Sequence, residues 1–148
     1  MDLSDKRVDL VAEGYDLAIR IGVLSDSSLI AKKISTVRNI PCASPDFLSR
    51  LPEITKPEDL ENVPALVYSN HKTPNDWRYR GPDGKAGVLR VTPKLSASNG
   101  DVLREAAISG LGVTCLPNFL HYDAINNGLL KPILADYEWA DYDVYAVY

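Results

Sequence analysis

Cysteine is scarce in this chain of 148 residues, which holds only Cys42 and Cys115, together with one methionine and two histidines, His71 and His121. Two cysteines cannot frame the multiply bridged scaffold of a small secreted domain. Both lie in apolar, strand-like runs, where a thiol behaves as a small hydrophobe, so buried free thiols are expected rather than a disulfide. No Cys or His pair has metal-ligand spacing, and no metal is expected. Long hydrophobic runs are missing too: none approaches the ~18 residues needed to span a bilayer, so no membrane partner is expected. Charge of one sign is not concentrated anywhere. Sixteen Lys and Arg against twenty Asp and Glu leave a formal net charge of −4, and the densest basic spots are only Lys32-Lys33 and Lys6-Arg7. That pattern gives this chain no electrostatic footprint for nucleic acid.

The patterns of catalysis are missing as well. There is no Gly-x-Ser-x-Gly elbow, no phosphate loop ending in Gly-Lys-Ser/Thr and no His-Glu-x-x-His. Gly110-Leu111-Gly112 lacks a third glycine and follows a helix, so it is not a dinucleotide fingerprint. Asp101 and Glu105, four apart, read as the solvated face of a helix. The expectation is a protein that is not an enzyme and uses no cofactor.

What is present is ordinary globular material, 45% hydrophobic and 24% charged, long enough to bury a real core. The start, Met1-Asp2-Leu3-Ser4-Asp5, is acidic and polar where a secretory leader would be basic and then apolar, so a cytoplasmic location is expected.

The clearest unit runs from Asn99 to Pro117. Asn99 can cap a helix whose Leu103, Ala106 and Ala107 recur at helical spacing, Gly110 supplies a left-handed stop, and Val113 to Leu116 reads as a buried strand. Elsewhere Ser4 to Gly14 reads as a helix, and Asp16 to Ile21, Leu29 to Ile34 and Asn39 to Ala43 as strands. Ser44-Pro45-Asp46 is a helix start, with a capping hydroxyl, a first-turn proline and an acid at the positive end of the dipole. Lys56 to Leu60 is expected to form one helical turn and Ala65 to Tyr68 a strand. Trp77 to Arg80 and Val88 to Val91 form a hairpin around Gly81-Pro82-Asp83-Gly84. Strand Lys94 to Ser98 leads into the Asn99 helix. A second helix, Asn118 to Asn126, stops at Gly128, and Leu130 to Leu134 and Tyr142 to Tyr148 are strands. Alternating strands and helices argue for an α/β fold with a largely parallel sheet. Helices that start right after strands, at Ser44, Asn99 and Pro117, would then converge on one pocket at the carboxyl ends of the strands, where exposed N–H groups favour small anionic or polar ligands.

Several runs carry a family resemblance. Asp9-Leu10-Val11-Ala12-Glu13-Gly14-Tyr15-Asp16-Leu17-Ala18-Ile19-Arg20-Ile21-Gly22 resembles a stretch of the effector-binding domain of LysR-type transcriptional regulators. Asp26-Ser27-Ser28-Leu29-Ile30-Ala31, Ala43-Ser44-Pro45 with Phe47-Leu48, Trp77 followed by Pro82-Asp83-Gly84, Gly110-Leu111-Gly112 with Leu116-Pro117, Gly128-Leu129-Leu130 and Val144-Tyr145-Ala146-Val147-Tyr148 follow in the family's order. Each motif is weak alone, and the ordered set covers nearly the whole chain.

The resemblance implies a regulatory domain similar to type 2 periplasmic binding proteins, with a small effector held between two α/β subdomains. It further implies a bacterial regulator that reaches DNA through an N-terminal domain not contained in this chain, and a truncated regulatory domain with one subdomain nearly whole and the other partial. Residues 1–36 are expected in subdomain one, 37–139 in subdomain two, and 140–148 as a strand returning to subdomain one. Exposed apolar surface and self-association would follow. The resemblance points to Arg20, Ser44, Ser98, Asn99, Gly100 and Pro117 as effector-binding residues. Structural roles stand beside each: capping for Ser44 and Asn99, an ion pair with Asp16 or Asp26 for Arg20, and shaping of the pocket for Pro117. His71 and His121 read as solvated or partly packed. A solute-binding module of the periplasmic kind is the alternative, and an α/β enzyme a more distant one.

Overall fold

A computed structural model describes residues 17–21, 24 and 28–148. The helix expected over Ser4 to Gly14 and the carboxylates of Asp16 and Asp26 lie outside these residues. The described residues form ten strands, three α-helices and one 3-10 turn, joined by loops. Strand β1 is Ala18–Ile21 and β2 is Ala31–Ala43. Helix α1, Pro45–Ser49, precedes a 3-10 turn at Pro57–Leu60. Then come β3 (Pro64–Tyr68), β4 (Asp76–Arg80), β5 (Ala86–Arg90) and β6 (Thr92–Ala97). Helix α2 (Gly100–Ile108), β7 (Val113–Pro117) and α3 (Asn118–Asn126) follow, and β8 (Lys131–Pro132), β9 (Glu138–Trp139) and β10 (Asp141–Val147) complete the chain.

One sheet has the order β1-β10-β2-β7-β3-β6, with β8 added beside β2, and a small sheet has the order β5-β4-β9. The expected largely parallel sheet is a mixed one: only β3 runs parallel to its neighbours β6 and β7, while β2 is antiparallel to β7, β8 and β10. On its other side β2 pairs antiparallel with β10, which is itself antiparallel to β1. The two strands read at Leu29 to Ile34 and Asn39 to Ala43 are one strand of 13 residues. Its first part pairs with β10 as far as Arg38 opposite Asp141, and its second pairs with β7 from Asn39 opposite Pro117. The strand read at Leu130 to Leu134 is reduced to Lys131–Pro132 because Leu134 takes a positive φ of 50° and turns the chain away.

Alternation along the strands splits the core in two. Ala65 and Val67 of β3 join Ala43, Phe47, Leu60, Leu89, Val113 and Trp139 on one face, under α1 and the small sheet. Leu66, with Cys42 and Leu116, meets Leu103, Ala106 and Ala107 of α2 and Ala124 of α3 on the other. Each fully buried leucine in these layers contributes roughly 1.5–3 kcal/mol by leaving water. Cys42 faces the helices, whereas Cys115, opposite Pro41 in register, packs with the other cluster. The two thiols are free as expected, because the sheet itself lies between them.

Candidate functional site

Three parallel strands end together. Because β6, β3 and β7 run the same way, the carboxyl ends of β6 and β7 share one edge of the sheet, and α2 and α3 both start there. Their first turns touch: a Cβ placed on buried Gly100 would stand 2.6 Å from Leu120 Cδ1. Gly100 therefore allows the two helix starts to approach closely. The Asn99 side chain accepts a hydrogen bond from the Val102 N–H at 3.1 Å, and the Ser69 N–H donates to the Ala97 carbonyl at 2.9 Å, fixing the turn just before Ser98. Pro117 caps α3 without any side-chain hydrogen bond. Two helix N-termini side by side give this edge a positive potential from their dipoles. Asp101 in the first turn of α2 is drawn off by Arg104 at 3.1 Å, and Arg104 also donates to the Leu120 carbonyl at 3.2 Å, tying α2 to α3.

Asn39 was not singled out by sequence reasoning. It stands opposite Pro117, where β2 changes partners, and its Oδ1 is buried with no hydrogen-bond partner among the described residues. The available signal was an amide placed directly before the apolar run Ile40 to Ala43.

Ser44 does not belong to this edge, which corrects the expectation of three converging helix starts. Its hydroxyl caps α1 by accepting the Phe47 N–H at 3.1 Å. Since β2 is antiparallel to β7, the carboxyl end of β2 lies at the amino end of β7. There Ser44 Oγ would stand 3.6 Å from a Cβ on Gly110, at the far end of α2 from Asn99. Arg20 is also apart from the edge. It is half-buried in β1 opposite Tyr145, which pairs with Lys33. Asn39 lies six positions beyond Lys33 in β2, about 20 Å along an extended strand. The same face of β10 carries Asp143, which accepts from Thr36 at 2.7 Å and pairs with Lys33 at 2.8 Å, so that its carboxyl is held below the usual range.

His121 differs from expectation: it is fully buried in α3, while His71 is exposed and accepts the Thr73 N–H at 3.0 Å. Burial, and then the Arg104 charge, push the His121 imidazole down to about 4. Burial likewise pushes the Cys42 thiol up to about 12 and raises Cys115. Thiols so reluctant to ionise are poor nucleophiles. No group of three or more metal-ligating side chains occurs among the described residues, and none of their helices is long and apolar enough to cross a membrane.

Comparison with known proteins gives a consistent picture. Residues 1–148 match the LysR substrate binding domain. An uncharacterized HTH-type transcriptional regulator of Haemophilus influenzae is 34% identical over 148 residues, 100% of this chain and 51% of that protein. The HTH-type transcriptional regulator DmlR of Escherichia coli is 34% identical over 148 residues, 99% of this chain and 48% of its own length. The chain thus spans about half the length of these curated relatives. Among solved structures, the CrgA regulatory domain of Neisseria meningitidis superposes with a TM-score of 0.82 at 31% identity, covering 98% of this chain and 71% of that one. The full-length Vibrio cholerae virulence activator AphB gives 0.80 at 30% identity, over 98% of this chain and 49% of its own.

Proposed function

This chain belongs to the LysR substrate binding domain family, and on that premise we propose that it is the effector-sensing part of a bacterial transcription regulator. The observation that carries the reading is the contact between the starts of α2 and α3 at the carboxyl ends of β6 and β7. Such an edge receives a small anionic or polar molecule through backbone N–H groups and helix dipoles. Ser98, Asn99, Gly100 and Pro117 would hold it, with Asn39 beside them.

The exchange of β2 partners between Arg38 and Asn39 supports a division into two lobes, residues 1–36 with 140–148 and residues 37–139. On this reading Arg20 lies in the first lobe and meets the effector only when the lobes close. An effector shifts that closure by its difference in affinity for the open and closed forms. DNA would be bound by a separate part of the whole regulator. Relatives that are regulators favour this reading over an enzyme on the same scaffold.

The test is thermal unfolding against a panel of small carboxylic acids and related metabolites, with every hit recovered and analysed. Saturation at 100 times Kd adds about 2.7 kcal/mol, or roughly 2–8 °C in Tm. The expected result is an unchanged hit whose shift shrinks in Asn99→Ala. A chemically converted hit would support the enzyme reading, and the absence of any shift would overturn the assignment of the pocket.

A further inference from the structure

Helix α3 buries a histidine among apolar side chains, with Leu120, Ala124 and Ile125 packed into the same layer. Its exposed face carries Phe119 and Tyr122, while the residues it buries are His121 and Ala124. Both ring nitrogens of His121 are buried without a hydrogen-bond partner among the described residues. An imidazole N–H left unpaired in a core destabilises the docked helix, where an apolar ring of the same size would not.

The groups packed against that face offer the ring no anion. The apolar layer that takes in Ala124 also holds Cys42 of β2, Leu116 of β7 and Leu103 and Ala107 of α2, with Ile40 packed against it, and Arg104 is the charged group acting on His121. The carboxylates of Asp101 and Glu105 are exposed and lie against the guanidinium of Arg104, at 3.1 and 3.5 Å. The Cys42 thiol stays neutral, since burial raises it. A proton on His121 would therefore place a second positive charge in an apolar layer next to the first.

We propose that α3 is a proton-released helix: uptake of a proton by His121 undocks Asn118–Asn126 from the sheet and α2, and with it the Pro117 side of the site. The sign follows from linkage. The buried imidazole titrates near 4 and the released one near its ordinary 6.5, so docking is at full strength above pH 6.5 and weakens as pH falls from there toward 4. Between pH 7.5 and 5.0 the opening constant of α3 rises about thirtyfold. Nothing in this inference depends on which ligand occupies the site, or on whether one does.

Hydrogen exchange on the chain without ligand, corrected for the intrinsic pH dependence of exchange, decides it. The expected result is a rise of that size for the amides of α3 between pH 7.5 and 5.0, with β3 and β7 unchanged, and loss of the rise in His121→Phe. His121→Gln, polar but unable to titrate in this range, serves the same purpose if the phenylalanine variant does not fold. The inference is overturned if α3 and β3 respond equally to pH, if the whole sheet opens together with α3, or if the rise persists in a variant without the histidine.

Discussion

Two glycines in one short motif do different work. Gly110 has a φ of +81° and closes α2, its N–H donating to the Ala107 carbonyl at 3.0 Å while the Leu111 N–H donates to that of Ala106 at 3.1 Å. Alanine there would make only ordinary contacts, with Ser44 Oγ and Arg50 at 3.6 Å, and would cost only the left-handed backbone, about 1–2 kcal/mol. Gly112 has no such φ, but a Cβ on it would lie 2.4 Å from the Pro64 carbonyl oxygen, where β3 and β7 pair. Since backbone must then move, Gly112→Ala should cost about 3 kcal/mol, and chemical denaturation of the two variants should show this order. A second pair separates capping from binding. Ser44→Ala and Asn99→Ala each remove a cap and should each lower stability by about 1 kcal/mol. Only Asn99→Ala should also weaken ligand-induced stabilisation, because Ser44 stands at the other end of α2; equal losses of ligand response in both would contradict the site.

At the level of elements, Arg104 is the link between α2 and α3, through its bond to the Leu120 carbonyl. Arg104→Met should therefore loosen α3 at neutral pH and, by removing the nearby positive charge, raise the proton affinity of His121, although burial keeps it below 6.5. An NMR titration of the imidazole would register the upward shift, and no movement would show that Arg104 acts on it only through packing. Which elements form was largely legible from the sequence, because their signals are local. Ser44 and Asn99 cap the helices they were expected to cap, and Gly110 and Gly128 end theirs with positive φ. Pairing direction was not legible: whether β2 lies parallel or antiparallel to β7 is decided by residues far apart in the chain, as in Asn39 opposite Pro117. The separation of Ser44 from Asn99 follows from that one pairing. The burial of His121 was hidden for a related reason: exposed Phe119 and Tyr122 compete in the apolar pattern with Leu120, Ala124 and Ile125, which face the core.

For the whole molecule, one face near β1 governs behaviour in solution. Strand alternation places Leu17, Ile19, Ile30 and Tyr148 together, and all four are exposed. An apolar patch of this kind drives association. Sedimentation across a wide concentration range should show self-association that Ile19→Lys reduces, and a monomer throughout would rule this out. The long strand β2 has a further effect, on how the chain comes together. Its inner half can pair with β7 once that strand exists, but its outer half pairs, among the described residues, with β10, joining partners such as Thr36 and Asp143 that are 107 residues apart. Closing so large a loop is slow and entropically unfavourable until the rest of the fold has formed. On the ribosome, then, an open strand edge must wait for β10 to emerge, and that interval is when this chain is most vulnerable to pairing with a neighbour.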